Sequence, residues 1–324
     1  MEYFLLPNIN KKLSKLVVGT AEMGQNYGLY TLRKPSREES ISILSYALEK
    51  GINVFDTSPT YGDSEEIIGE FLRKVEKKDV YISTKLEKLP EVVWKNEGMI
   101  QKKIREEFQL SCKRLGVDNI TIYLVHVAAE AFRNNGIVLD ILNEIKKEGK
   151  IDIVGVSLYE GNELQKCVED ERVDAVQIPF NVLDKRLLKS GLLERTKERG
   201  LTVFARSIFL QGLLLMELER IPHFLYESIE IIKKLQMIAT IYKRNLKEIC
   251  IKYVLESKGI NFILVGVNSM EQVEENIRLF NSKPLEPEIM KAIDNLLTPQ
   301  RYILDPRKWD DLKRVKDKSN LLNY

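Results

Sequence analysis

"INVFDTSPTYGDSEEIIGEFL", residues 52–72, begins as an apolar, β-branched run, ends as an amphipathic helix, and leaves Asp56 and Tyr61 at the junction. A short apolar run fits a strand buried on both faces, while Ile67, Ile68, Phe71 and Leu72 recur at helical spacing. A strand that passes straight into a helix is half of a parallel crossover unit, because parallel neighbours cannot be joined by a tight turn.

The same alternation runs along the chain. Strands are predicted at 16–21, 53–58, 80–85, 120–126, 153–159, 175–181, 201–207 and 262–268. Helical patterns follow the first four, at 36–50, 63–75, 99–116 and 137–149, and Gly51, Gly116, Gly149 and Gly200 stand where helices should stop. Eight such units with no linker between them predict an α/β fold, a (β/α)8 TIM barrel. The expected organisation is a single domain over 1–324, with its core at about 13–297, a small N-terminal hairpin at the barrel floor and a polar C-terminal tail at 298–324.

Composition narrows the function. The 50 Lys and Arg residues are interspersed with 48 Asp and Glu, so no basic stripe exists and nucleic acid is not an expected partner. The opening "MEYFLLPNINKK" is too short and too interrupted, by Pro7, for a signal core or membrane span; no membrane partner and a cytoplasmic location are expected. Cys112, Cys167 and Cys250 are widely spaced and odd in number, which supports neither a disulfide framework nor a metal site.

Catalytic groups in such barrels sit at the C-terminal ends of the strands. The polar residues collected there are Gly19 with Thr20, Asp56 with Tyr61 just beyond, Lys85, His126, Ser157, Gln177 with Asn181, and Arg206 with Ser207. A phenol beside an ammonium held by a carboxylate is a proton donor in the making, because the positive charge favours phenolate. Each residue also has a plain structural reading: Asp63 or Ser64 in "YGDSEE" would cap the next helix, with Glu66 answering Asp63.

The motifs "VFDTSPTYGDSEEIIGEFL", "ISTK", "YLVH", "IVGVS", "VQIPFN" and "ILVGVNSMEQVEENI" resemble, in order and spacing, those of the aldo-keto reductases, to about residue 296. The resemblance implies reduction of an aldehyde or ketone by NAD(P)H, with a small-molecule carbonyl compound as substrate. By it Tyr61 is the general acid, Lys85 and Asp56 tune it, and His126 orients the carbonyl. It also implies cofactor contacts at Gly19, Thr20 and Asp56, carboxamide contacts at Ser157 and Gln177, a pyrophosphate loop at Ser207, Phe209 and Gly212, and adenine contacts at Glu275 and Asn276. A G-x-G-x-x-G fingerprint is absent, which argues against a doubly wound dehydrogenase.

Three departures stand out. Leu158 replaces the Asn that relatives use after Ser157. Arg206 stands where an aromatic ring usually stacks on the nicotinamide; it is expected either to stack there itself or to reach an anionic substrate. Gly266 and Gln272 replace the Lys and Arg that grip a 2′-phosphate, leaving Asn268, Ser269 and Gln272 as polar contacts; the resemblance retains NADPH as the expected cofactor, with NADH the alternative. Two other functions compete: a Schiff-base aldolase using Lys85, which Asp56 opposes by keeping the amine charged, and a nucleotide-binding regulatory subunit with slow or vestigial reductase activity.

Overall fold

The computed structural model describes residues 1–6, 9–29, 33–75 and 79–314. Two antiparallel strands, β1 (Tyr3–Leu6) and β2 (Lys11–Ser14), form the expected hairpin. The strands β3 (Leu16–Gly19), β4 (Val54–Asp56), β5 (Tyr81–Leu86), β6 (Ile120–Val125), β7 (Ile151–Ser157), β8 (Ala175–Pro179), β9 (Thr202–Arg206) and β10 (Phe262–Gly266) are parallel and close into a barrel, β10 pairing with β3. All eight coincide with predicted strands, and the helices surround them as the (β/α)8 reading requires.

Side chains along each strand alternate between the barrel interior and the helical ring. Val17, Val54, Tyr81, Ile122, Ile153, Ala175, Phe204 and Phe262 form an inner core with Leu6 and Leu13 of the hairpin, which therefore plugs the N-terminal end. Phe204 stacks on Phe262 at 4.4 Å between ring centres, and Phe4 of the hairpin meets Phe262 edge-on. Outward neighbours such as Phe55, Ile82, Tyr123 and Val154 pack against the helices. Helix ends follow their local signals: Ser36 and Glu39 form a capping box at the start of the helix Arg37–Glu49, and Gly116 ends the helix Glu97–Leu115 with φ of 65°.

The segment after the last barrel helix is described through residue 314. The helix Arg301–Leu304 and the turn Pro306–Lys308 dock there, Trp309 is buried, and its Nε1 donates to the carbonyls of Tyr302 and Ile303. Residues 315–324 of the expected tail lie outside the described residues. Among the described residues no helix is long and apolar enough to cross a membrane.

Candidate active site

The two-residue period that builds the inner core also aims the site. Two positions beyond an inward Val17, Val54, Ala175 or Phe204 lie Gly19, Asp56, Gln177 and Arg206; two and four beyond Tyr81 lie Ser83 and Lys85, and beyond Ile122 lie Leu124 and His126. The polar strand ends thus converge because the apolar residues below them do.

Asp56 and Lys85 form the centre. Lys85 Nζ donates to Asp56 Oδ2 at 2.8 Å and to the Thr57 carbonyl at 2.7 Å. Asp56 Oδ1 accepts from Ser83 Oγ at 2.8 Å and from Gln177 Nε2 at 2.9 Å, so the carboxylate is satisfied on both oxygens. Burial pulls the Lys85 ammonium below its ordinary value, and the Asp56 charge opposes that. Lys85 is completely buried and does not line the cavity above it.

Tyr61 sits over this pair, its ring centre 5.0 Å from Lys85 Nζ and 6.4 Å from the His126 ring, which it meets at 90°. Its hydroxyl makes no hydrogen bond among the described residues, and the residue lines the cavity. Burial drives the phenol upward and Asp56 adds to this, while Arg206 opposes it. Tyr61 is therefore held protonated.

Burial, with Lys85 and Arg206 adding their charges, pushes His126 down to about 3, so its ring is neutral near pH 7. Ser58 Oγ lies 3.4 Å from Nδ1. With the Ser58 hydroxyl donating there, the ring proton resides on Nε2 and is free to donate.

Main chain positions the Tyr61 loop. Gly24, in the short helix Ala21–Gly24 after β3, lies so close that a Cβ would fall 1.6 Å from the Tyr61 carbonyl oxygen; one on Gly62 would fall 2.2 Å from the Gly24 carbonyl oxygen. Lys34 Nζ bridges the crossing, donating to the Gly24 carbonyl and to Asp63. The expected Asp63 cap is absent because that carboxylate turns to Lys34, and Ser64 instead joins Thr20 and Thr57 in a buried hydroxyl cluster.

A cavity of about 500 Å³ extends from Asp56 and Tyr61 across the barrel mouth. Gly19, Thr20, Gln177, Arg206, Ser207, Phe209 and Gly212 line it, and so do Gly266, Asn268, Gln272 and Asn276. Among the described residues Asn276 Oδ1 is buried without a partner at this wall, an acceptor suited to an amino group of a base. The polar lining and the volume fit a dinucleotide. Ser157, beside Gln177 in register, is buried and does not line the cavity; Glu275 is drawn to Lys247 at 2.5 Å. Asn181 braces the Leu183 and Asp184 amides and the Ser207 carbonyl. His223 and Trp94 do not line the cavity.

Sequence reasoning missed Glu22, whose carboxylate accepts from Asn268 Nδ2 at 2.9 Å and fills the space beside Gly266. It also missed Tyr27 and Lys247 in the wall, and Tyr159 beside it. Among the described residues no cluster of His, Cys, Asp or Glu is placed to hold a metal ion.

A closed eight-stranded barrel with a tyrosine, a buried lysine–aspartate pair and a histidine at its mouth is matched by the profile of the Aldo/keto reductase family over residues 15–298. The chain belongs to that family of NAD(P)H-using oxidoreductases. It is 27% identical over 277 residues to an NADH-specific methylglyoxal reductase of Escherichia coli K12, covering 76% of this chain and 83% of the relative. It is 25% identical over 291 residues to an L-glyceraldehyde 3-phosphate reductase of the same strain, covering 79% and 83%. An aldo-keto reductase structure from Bacillus halodurans shares the fold, with a TM-score of 0.76, 22% identity and coverage of 92% and 96%.

Proposed function

We propose that this chain reduces the carbonyl group of a small aldehyde or ketone, with Tyr61 as the proton donor. The observation that carries this reading is the unpartnered Tyr61 hydroxyl, facing the cavity above the Lys85–Asp56 pair. When bound, a nicotinamide dinucleotide supplies the hydride. Tyr61 and the Nε2–H of neutral His126 are two donors for a carbonyl oxygen, which gains negative charge as the hydride arrives; fixed donors help most there. Tyr61 then gives up its proton. Lys85 stabilises the resulting phenolate at close range, the state in which its charge is needed.

Around the cofactor, Gln177 is fixed by its amide nitrogen to Asp56, which leaves Oε1 to accept from the carboxamide. Ser207, Phe209 and Gly212 would hold the pyrophosphate, and Asn276 the adenine. The family resemblance alone points to NADPH. The charges favour NADH: Glu22 puts a carboxylate beside Gly266, and Lys247 is already paired with Glu275. The E. coli methylglyoxal reductase is likewise NADH-specific.

A Schiff-base role for Lys85 is disfavoured by its complete burial and its two hydrogen bonds. Single-turnover oxidation of bound NADH or NADPH by an aldehyde, compared between wild type and Tyr61→Phe, tests the proposal. A loss on the order of 10²- to 10⁴-fold supports it, as positioned acid catalysis requires. Equal rates would leave a nucleotide-binding module without turnover.

A further inference from the structure

Arg206 is a cation at the catalytic end with no carboxylate partner among the described residues. Lys85 has Asp56, Lys247 has Glu275, Arg307 has Asp305, and Arg301 has Glu160. No carboxylate among the described residues lies within ion-pairing distance of Arg206, although it lines the cavity with Asp56 and Tyr61. With the Lys85 and Asp56 charges cancelling and His126 neutral, Arg206 is left as the uncompensated charge beside Tyr61, while the Glu22 carboxylate lies at the Gly266 side of the cavity.

The guanidinium is also held in one pose. Its Nη2 donates to the Leu158 carbonyl at 3.2 Å and its Nη1 to Ser207 Oγ at 3.3 Å. One face lies on the Tyr159 ring, 4.1 Å from its centre. Arg307, from the C-terminal segment, lies 3.3 Å from the centre of the same ring and is itself fixed by two hydrogen bonds to Asp305. Five N–H groups leave three unused, so what Arg206 offers the cavity is a planar set of donors. A rigid fork of this kind recognises carboxylate and phosphate oxygens, and its preorganisation lowers the entropy cost of the contact.

We propose that Arg206 is the receptor for an anionic group on the substrate, and that Tyr159 and Arg307 are positioning residues for it. The preferred substrates are then aldehydes or ketones bearing a carboxylate or a phosphate. This rests on the reductase reading above.

The test compares matched pairs, 4-oxobutanoate against butanal and glyceraldehyde 3-phosphate against glyceraldehyde, in wild type, Arg206→Ala, Arg206→Lys and Tyr159→Ala. The expected result is a wild-type kcat/KM ratio favouring the anionic member. Arg206→Ala lowers that ratio about tenfold or more, mainly through KM; Arg206→Lys and Tyr159→Ala lower it less, because charge without the fork, or the fork without its support, remains. The two pairs separate carboxylate from phosphate preference. An unchanged ratio in Arg206→Ala overturns the proposal. So does weaker NADH binding with an unchanged ratio, which would assign Arg206 to the cofactor's pyrophosphate. Calorimetric titration of malonate and of inorganic phosphate into the NADH-loaded protein reads the receptor without turnover: binding lost in Arg206→Ala supports it, and no binding to wild type overturns it. A chain that binds these anions through Arg206 yet reduces neither member of either pair would sink the reductase reading alone.

Discussion

Lys85 and Asp56 form an ion pair at 2.8 Å with side chains 1% and 3% exposed. Two charges so placed have lost nearly all of their hydration, and each is tolerated because the other is there. Asp56→Ala should cost about 3–5 kcal/mol, as expected for stranding a buried charge. The double variant Lys85→Met with Asp56→Leu should regain most of that stability while remaining inactive. Urea unfolding of the three proteins reads the difference; a double variant no more stable than Asp56→Ala would mean that the pair is held by its neighbours.

Gly24→Ala places a methyl group inside the Tyr61 carbonyl. The backbone must part there, at about 1–3 kcal/mol for overpacking. Because the displaced segment carries the phenol, kcat should fall further than the loss of folded protein explains. Thermal unfolding and turnover measured on the same preparation would expose a variant that lost stability alone.

His126 has a folded value of about 3 against an ordinary 6.5. Between these values the unfolded chain binds the proton that the native ring refuses. Stability must therefore fall as the pH drops from 6.5 towards 3, with a slope of about one proton from this residue. His126→Asn should flatten acid unfolding by that amount, and kcat/KM of the wild type should show no limb near 6.5. A histidine signal titrating there by nuclear magnetic resonance, with His223→Gln removing the other ring, would contradict the neutral assignment.

Glu22→Gln should improve the affinity for NADPH relative to NADH by about five- to tenfold, the equivalent of roughly 1 kcal/mol. Burial pushes the Glu22 carboxyl upward, Asn268 opposing, so its negative charge weakens as the pH falls. The proposed wild-type preference for NADH should relax towards acid pH, and that of Glu22→Gln should not. Fluorescence titration with both dinucleotides measures this without a substrate.

The barrel was legible because strand and helix alternate with different hydrophobic periods, and the centre was legible because Asp56, Lys85 and His126 end inward-facing strands. What escaped the sequence depends on loops that meet only in space. Glu22 reads as an ordinary first-turn acid until β10 brings Gly266 beside it. Tyr159 gains its place from Arg307, nearly 150 positions later in the chain. The Asp63 cap looked sound locally, and Lys34 outcompeted it from outside the helix. Adjacent charges do not reveal which partner each will choose.

The contact between Gly24 and the Tyr61–Gly62 peptide is made by main chain on both sides. Such a contact demands glycine at 24 and 62 but makes no demand on the side chains around it, so Tyr61 keeps its station while other loop residues around the mouth change. Placement of the proposed proton donor and selection of the molecule to be reduced are thereby mechanically separate. A designer could diversify the walls near Tyr27, Met216 or Tyr159 in search of new substrates without re-engineering the chemical step.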